Sequence, residues 1–151
     1  MQAISADTLG NVTGYQGGIF AEAAGHDVTV LTGNGTITAS AIQGYGILAQ
    51  IDNGTGNLNG NILVTNGDTI NVENGYGIEA LQHDSANTGN LTVNSSGPIT
   101  AGYDGIWAQS SGSGTVKVTT TASGTIDAGS WAGNGVGIGA VSDYMGTGAV
   151  I

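Results

Sequence analysis

The side chains able to move protons or hold metals are few: eleven carboxylates, two histidines, one lysine and five tyrosines, with no cysteine. Two reactions would suit such a chain. Hydrolysis of a glycosidic bond needs a pair of carboxyl groups flanking the scissile oxygen, whereas β-elimination from a uronate needs a calcium-holding carboxylate cluster with a base beside it. Lys117 is the only basic candidate. It stands between Val116 and Val118, so strand alternation turns it outward, and the equivalent place one repeat earlier holds Thr92 rather than an acid. The acids Asp7, Glu22, Asp27, Asp52, Asp68, Glu73, Glu79, Asp84, Asp104, Asp127 and Asp143 are spread along the whole chain. Most fall in turn-like segments, where Asp accepts hydrogen bonds from backbone amides. Solvated turn capping is the expected role, no catalytic residue is assigned, and the chain is read as a non-enzyme.

Metal and anionic partners are set aside on similar grounds. His26-Asp27 recurs as His83-Asp84 two repeats on, but two coils of a stacked sheet stand about 10 Å apart, too far for both imidazoles to bind one ion. The calcium-binding phrase Gly-Gly-x-Gly-x-Asp does not occur. No metal and no cofactor is expected. A formal charge of −10 with a single cation excludes nucleic acid and anionic membrane surfaces, which both need Lys or Arg to neutralise phosphate. Membrane insertion of this segment is not expected, because no apolar run approaches 18 residues. The opening Met1-Gln2-Ala3-Ile4-Ser5-Ala6 carries neither the basic nor the apolar region of a secretory leader.

The elements that position these groups come from a repeat. The phrase Gly-Ile-x-Ala occurs at Gly18-Ile19-Phe20-Ala21, Gly46-Ile47-Leu48-Ala49, Gly77-Ile78-Glu79-Ala80, Gly105-Ile106-Trp107-Ala108 and Gly137-Ile138-Gly139-Ala140. The isoleucines are 28, 31, 28 and 32 residues apart. The first four phrases are each followed by a second alternating pair (Val28/Val30, Ile62/Val64, Leu91/Val93, Val116/Val118) and then a third (Ile37/Ala39, Ile70/Val72, Ile99/Ala101, Ile126/Ala128). Three short strands per period, separated by turn residues, form one coil of a solenoid. The expected fold is an all-β, right-handed, three-sided parallel β-helix of about five coils, with residues 1–151 forming a single segment. Ile and Ala line its interior, and Gly at the corners supplies positive φ. Asn-Gly at 34–35, 53–54, 66–67, 74–75 and 134–135 marks the turns.

Stretches such as Gly75-Tyr76-Gly77-Ile78-Glu79-Ala80, Gly89-Asn90-Leu91-Thr92-Val93 and Gly97-Pro98-Ile99-Thr100-Ala101 resemble the passenger repeats of bacterial autotransporters. The resemblance is one of rhythm and composition and covers almost the whole chain. It implies the β-helix fold and an extracellular position on the bacterial surface. It carries no catalytic signature, and a complete autotransporter's leader and C-terminal barrel would lie outside these residues.

Two candidate contact regions follow. The outward position of the Gly-Ile-x-Ala strand reads Phe20, Leu48, Glu79, Trp107 and Gly139, and an exposed apolar stripe marks a contact surface. Tyr15, Tyr45, Tyr76 and Tyr103 precede the same strands and are expected to stack along one corner. The residues Phe20, Leu48, Trp107, Tyr45, Tyr76 and Tyr103 are therefore the candidate contact surface, for a host or neighbouring cell or for a glycan on the tyrosine and tryptophan rings. The outward sites of the second strand, Thr29, Leu63, Thr92 and Lys117, form no regular threonine column. The second region is the ends. Ile4-Ser5-Ala6 reads as a third-type strand and Ala149-Val150-Ile151 as the start of a second-type strand. Ile4, Ala6, Ala149, Val150 and Ile151 are the candidates for end-to-end self-association into filaments.

Overall fold

The computed structural model describes residues 4–52, 59–129, 134–143 and 149–151. Every regular element within them is a strand, and the strands assemble into three parallel five-stranded sheets that stack as a β-solenoid of about four turns. Sheet 1 contains β1 (Ile4–Thr8), β4 (Val28–Thr32), β7 (Ile62–Asn66), β10 (Leu91–Ser95) and β13 (Val116–Thr120) in that order. Sheet 2 contains β2 (Val12–Gly14), β5 (Thr36–Ala39), β8 (Thr69–Val72), β11 (Ile99–Ala101) and β14 (Ile126–Ala128). Sheet 3 contains β3 (Gly17–Ala24), β6 (Tyr45–Asp52), β9 (Tyr76–Gln82), β12 (Ile106–Ser110) and β15 (Ile138–Ser142).

The register stacks like on like. Ile19, Ile47, Ile78, Ile106 and Ile138 form one column across sheet 3, and Ala21, Ala49, Ala80, Ala108 and Ala140 form the next. In sheet 1, Val28, Ile62, Leu91 and Val116 align, as do Val30, Val64, Val93 and Val118. In sheet 2 the column is Val12, Ile37, Ile70, Ile99 and Ile126. Alternation sends these residues inward, and those of the central coils are sealed: Ile47, Ile78 and Ile106 are fully buried. Sealing stops at the edge, since Ile138, in a strand with β12 as its only sheet neighbour, is 44% exposed.

Glycine does its work by close approach. Among the described glycines only Gly25 and Gly129 have positive φ, so the left-handed corners expected from the sequence are mostly absent. A Cβ on Gly46 would stand 2.4 Å from Ile70 Cγ2 and 2.6 Å from the carbonyl of Gly77, and Gly18, Gly77 and Gly105 are crowded in the same way. The glycine of each of the first four Gly-Ile-x-Ala phrases lets sheet 3 begin against the isoleucine of sheet 2, whereas Gly137 of the fifth has nothing within 4 Å. The Asn-Gly pairs at 34–35, 74–75 and 134–135 do lie between strands, 66–67 straddles the end of β7, and 53–54 falls outside the described residues.

Buried polar residues also stack. Thr32 Oγ1 donates to Asn66 Oδ1 at 2.8 Å, and Asn66 Nδ2 donates to Ser95 Oγ at 3.1 Å, a column that closes the inner end of sheet 1. Ser110 Oγ donates to Gln82 Oε1 at 2.6 Å in the same manner in sheet 3.

The chain ends correct two expectations. The backbone of Ile4–Thr8 pairs with Val28–Thr32, so this segment is a sheet 1 strand and not the third type; the third-type strand is Val12–Gly14. The phrase Ile-x-Ala fits either column, and the sequence distance to the next strand, not the residue types, separates them. Ala149-Val150-Ile151 lies beside sheet 1 as an isolated bridge and not a strand: Val150 bridges Val116 in parallel, with Val116 N–H donating to Ala149 O at 2.8 Å.

Candidate functional site

The outward column of sheet 3 holds Phe20, Leu48, Glu79, Trp107 and Gly139 in strict register. Phe20 is 54% exposed, whereas Leu48, Glu79 and Trp107 are half-buried. The stripe is therefore partly self-covering. A Cβ on Gly139 would lie 2.3 Å from Trp107 Cε3, so the indole rests on the bare backbone of the next coil, and its Nε1 donates to Gln109 Oε1 at 3.1 Å. Tyr45 does the same over Gly17, whose added Cβ would meet Cε2 at 2.1 Å, and its ring lies 6.3 Å from Phe20 at 48°. In both cases an aromatic ring shields a strand glycine that has no side chain of its own to pack.

The tyrosines pair rather than forming one continuous stack. Tyr76 and Tyr103 stack with centroids 5.3 Å apart at 21°, while Tyr45 turns to Phe20. Tyr15 is 80% exposed, and the register explains why it stands apart: the partner of Tyr45 on β3 is Gly17.

Beside these rings sits a pair of carboxylates that residue types alone did not single out. Glu79 lies between Leu48 and Trp107 in the column, and its pKa is pushed up to about 7, first by burial and then by the charge of Asp104. Burial, Glu79, Asp104 and Tyr103 together raise Tyr76, placing all four groups in one electrostatic neighbourhood. The signal available in the sequence was the interruption itself, one acid in an otherwise apolar column.

Other acids link coils. Asp27 Oδ1 accepts the Asn61 N–H at 2.7 Å, Asn61 Oδ1 accepts the Asn90 N–H at 2.9 Å, and Asn90 Oδ1 accepts the Thr115 N–H at 2.9 Å. Each of these residues immediately precedes the first inward residue of a sheet 1 strand, so one ladder of side-chain oxygens runs down that corner. Asp68 Oδ1 accepts from Gly35 N–H at 2.6 Å and Asp104 Oδ1 from Val136 N–H at 2.8 Å. On sheet 3, Glu22 accepts from Gln50 Nε2 at 2.6 Å, and Asp143, just past β15, accepts from Gln109 Nε2.

The remaining candidates stay apart. Lys117 is exposed on sheet 1 opposite Thr92. His83 stands 4.0 Å from Asp52, and Asp84 caps Ala86 N–H at 2.9 Å, whereas Asp27 serves the ladder. No group of three metal-ligating side chains occurs among the described residues. A shallow cavity of about 210 Å³ on sheet 1 is lined by uncharged side chains, including Thr65, Asn94 and Thr119. At the ends, Ala6 packs against the core, the side chain of Ile4 lies outside the described residues, and Val150 and Ile151 are 50% and 71% exposed. The two end sets sit at opposite edges of sheet 1.

No protein-family model, curated protein or solved structure matches the chain.

Proposed function

We propose that this chain is a non-catalytic module of a bacterial surface protein, exposed outside the cell, in which the solenoid is a spacer and the outer face of sheet 3 is adhesive. The observation that carries the reading is the use made of the acids: Asp27, Asp68 and Asp104 each accept a backbone N–H from a neighbouring coil. A carboxylate engaged in this way stabilises the stack and is not held ready for proton transfer. The resemblance to autotransporter passenger repeats supports the extracellular setting, and the half-covered rings of Phe20, Tyr45, Tyr76 and Trp107 support contact with a host or neighbouring cell, or with a second copy of the chain.

The test is turnover. Purified chain incubated with pectin, polygalacturonate and related glycans releases neither reducing ends nor unsaturated uronates on this reading. Cleavage that disappears on replacing one carboxylate would establish a polysaccharide-degrading enzyme instead.

A further inference from the structure

Glu79 differs from the other acids along this face. Glu22 on β3 and Asp143 just past β15 each receive a glutamine amide, and Asp52 on β6 stands 4.0 Å from His83. Glu79 faces Leu48 on one side and Trp107 on the other, and among the described residues it has no hydrogen bond and no ion pair. A half-buried carboxylate without a partner costs desolvation free energy that no described residue returns. Trp107 is on the next strand, with its indole turned to Gly139 beyond, and the Tyr76–Tyr103 stack stands at the head of the same two strands as Glu79 and Trp107.

We propose that this patch is a docking site for a cationic group, the guanidinium or ammonium of a basic segment on a partner, with Glu79 as counter-charge and Tyr76 and Tyr103 as the ring wall. A phenol face attracts a cation within roughly 6 Å of its centre, and Tyr76 is close enough to Glu79 for the two to interact electrostatically. Asp104 adds a second negative charge to the same neighbourhood. The chain cannot fill the site itself, because its only Lys or Arg is Lys117, on sheet 1. A net charge of −10 also steers basic partners toward the surface and repels acidic ones. The inference rests on reading this face as the contact surface and adds the chemistry of what it contacts.

The test is titration of the whole chain with N-acetyl-arginine amide at pH 8, followed by amide chemical shifts, with N-acetyl-glutamine amide as the neutral probe. The expected result is saturable shifts centred on Tyr76, Glu79 and Tyr103 with the arginine probe only. Glu79→Gln weakens binding at least about fivefold. Asp127→Asn, which removes the same unit of charge from the exposed face of sheet 2, leaves it unchanged. Retained shift dispersion shows that each variant is folded. Shifts spread over all the acidic turns, equal losses in the two variants, equal response to the neutral probe, or no saturation by about 50 mM would each overturn the proposal. A glycan recognised by the same rings would be indifferent to the arginine probe. The adhesive reading would survive such a failure, since its own tests are turnover and cell attachment.

Discussion

The indole of Trp107 lies directly over Gly139 of the following coil, so close that a Cβ there would stand 2.3 Å from Cε3. Gly139→Ala must therefore push the ring outward, away from its half-buried seat. The expected outcome is a red-shifted tryptophan emission with a modest stability loss of about 1–3 kcal/mol. Phe substitution at Trp107 assigns the signal, since the chain has two tryptophans.

Glycines that look alike in the sequence are expected to respond differently. Gly77→Ala places a methyl 2.3 Å from the Gly105 carbonyl and 2.5 Å from Ile99 Cγ2, contacts that require two sheets to part. A loss of about 2–4 kcal/mol is expected. Gly10 has nothing within 4 Å and no positive φ, so Gly10→Ala is expected to be neutral or to stabilise by about 0.4–1 kcal/mol through the unfolded chain. Urea denaturation of the two variants checks the pair.

The ladder from Asp27 through Asn61 and Asn90 to Thr115 makes a prediction about charge as well as hydrogen bonding. Asn61→Ala removes the acceptor for Asn90 N–H and the amide that donates to Asp27 Oδ1 at 3.1 Å, for a cost of about 1–2 kcal/mol. Asn61→Asp keeps the acceptor but sets a second carboxylate against Asp27. It is expected to be at least as damaging near neutral pH and to recover in acid. Faster hydrogen exchange at Asn90 is the local readout.

Glu79 predicts a pH dependence of stability. Its pKa rises from the ordinary 4.5 to about 7 on folding, so the folded chain holds that proton more tightly than the unfolded chain does. The contribution is fully present below about pH 4.5 and is lost as pH rises through 7. The loss is on the order of 1–2 kcal/mol, discounted for the solvent that reaches a half-buried group. Glu79→Gln cannot ionise, so the difference between wild type and variant, measured by denaturation between pH 4 and 8, isolates this group from the other carboxylates.

The all-β coil, its three strands per repeat and its inward columns were legible in the sequence because alternation has a period of two and the Ile-x-Ala phrase recurs with its spacing nearly fixed. The ladder was legible in principle, since Asp27, Asn61 and Asn90 occupy one repeat position, although turn composition masked it. The role of Gly46 and Gly77 was not, because crowding from Ile70 or Gly105 depends on how closely two sheets meet. Nor was the strand type of Ile4–Thr8, where two columns accept the same residues. In the candidate surface, the outward register of Phe20, Leu48 and Trp107 followed from alternation. Their partial covering, the division of the tyrosines into pairs and the coupling of Glu79 to Asp104 arise from side-chain packing between coils.

The proposed adhesive surface of this solenoid is the outer face of sheet 3. Its most direct test is attachment of chain-coated beads to a panel of bacterial and host cells, comparing wild type with Phe20→Ser/Trp107→Ser on sheet 3 and Thr38→Ala/Thr100→Ala on the outer face of sheet 2. Wild type and the sheet 2 variant are expected to attach alike, and the sheet 3 variant, still folded by denaturation, to lose most of its attachment. Equal attachment by all three, or none by wild type to any cell, would contradict it.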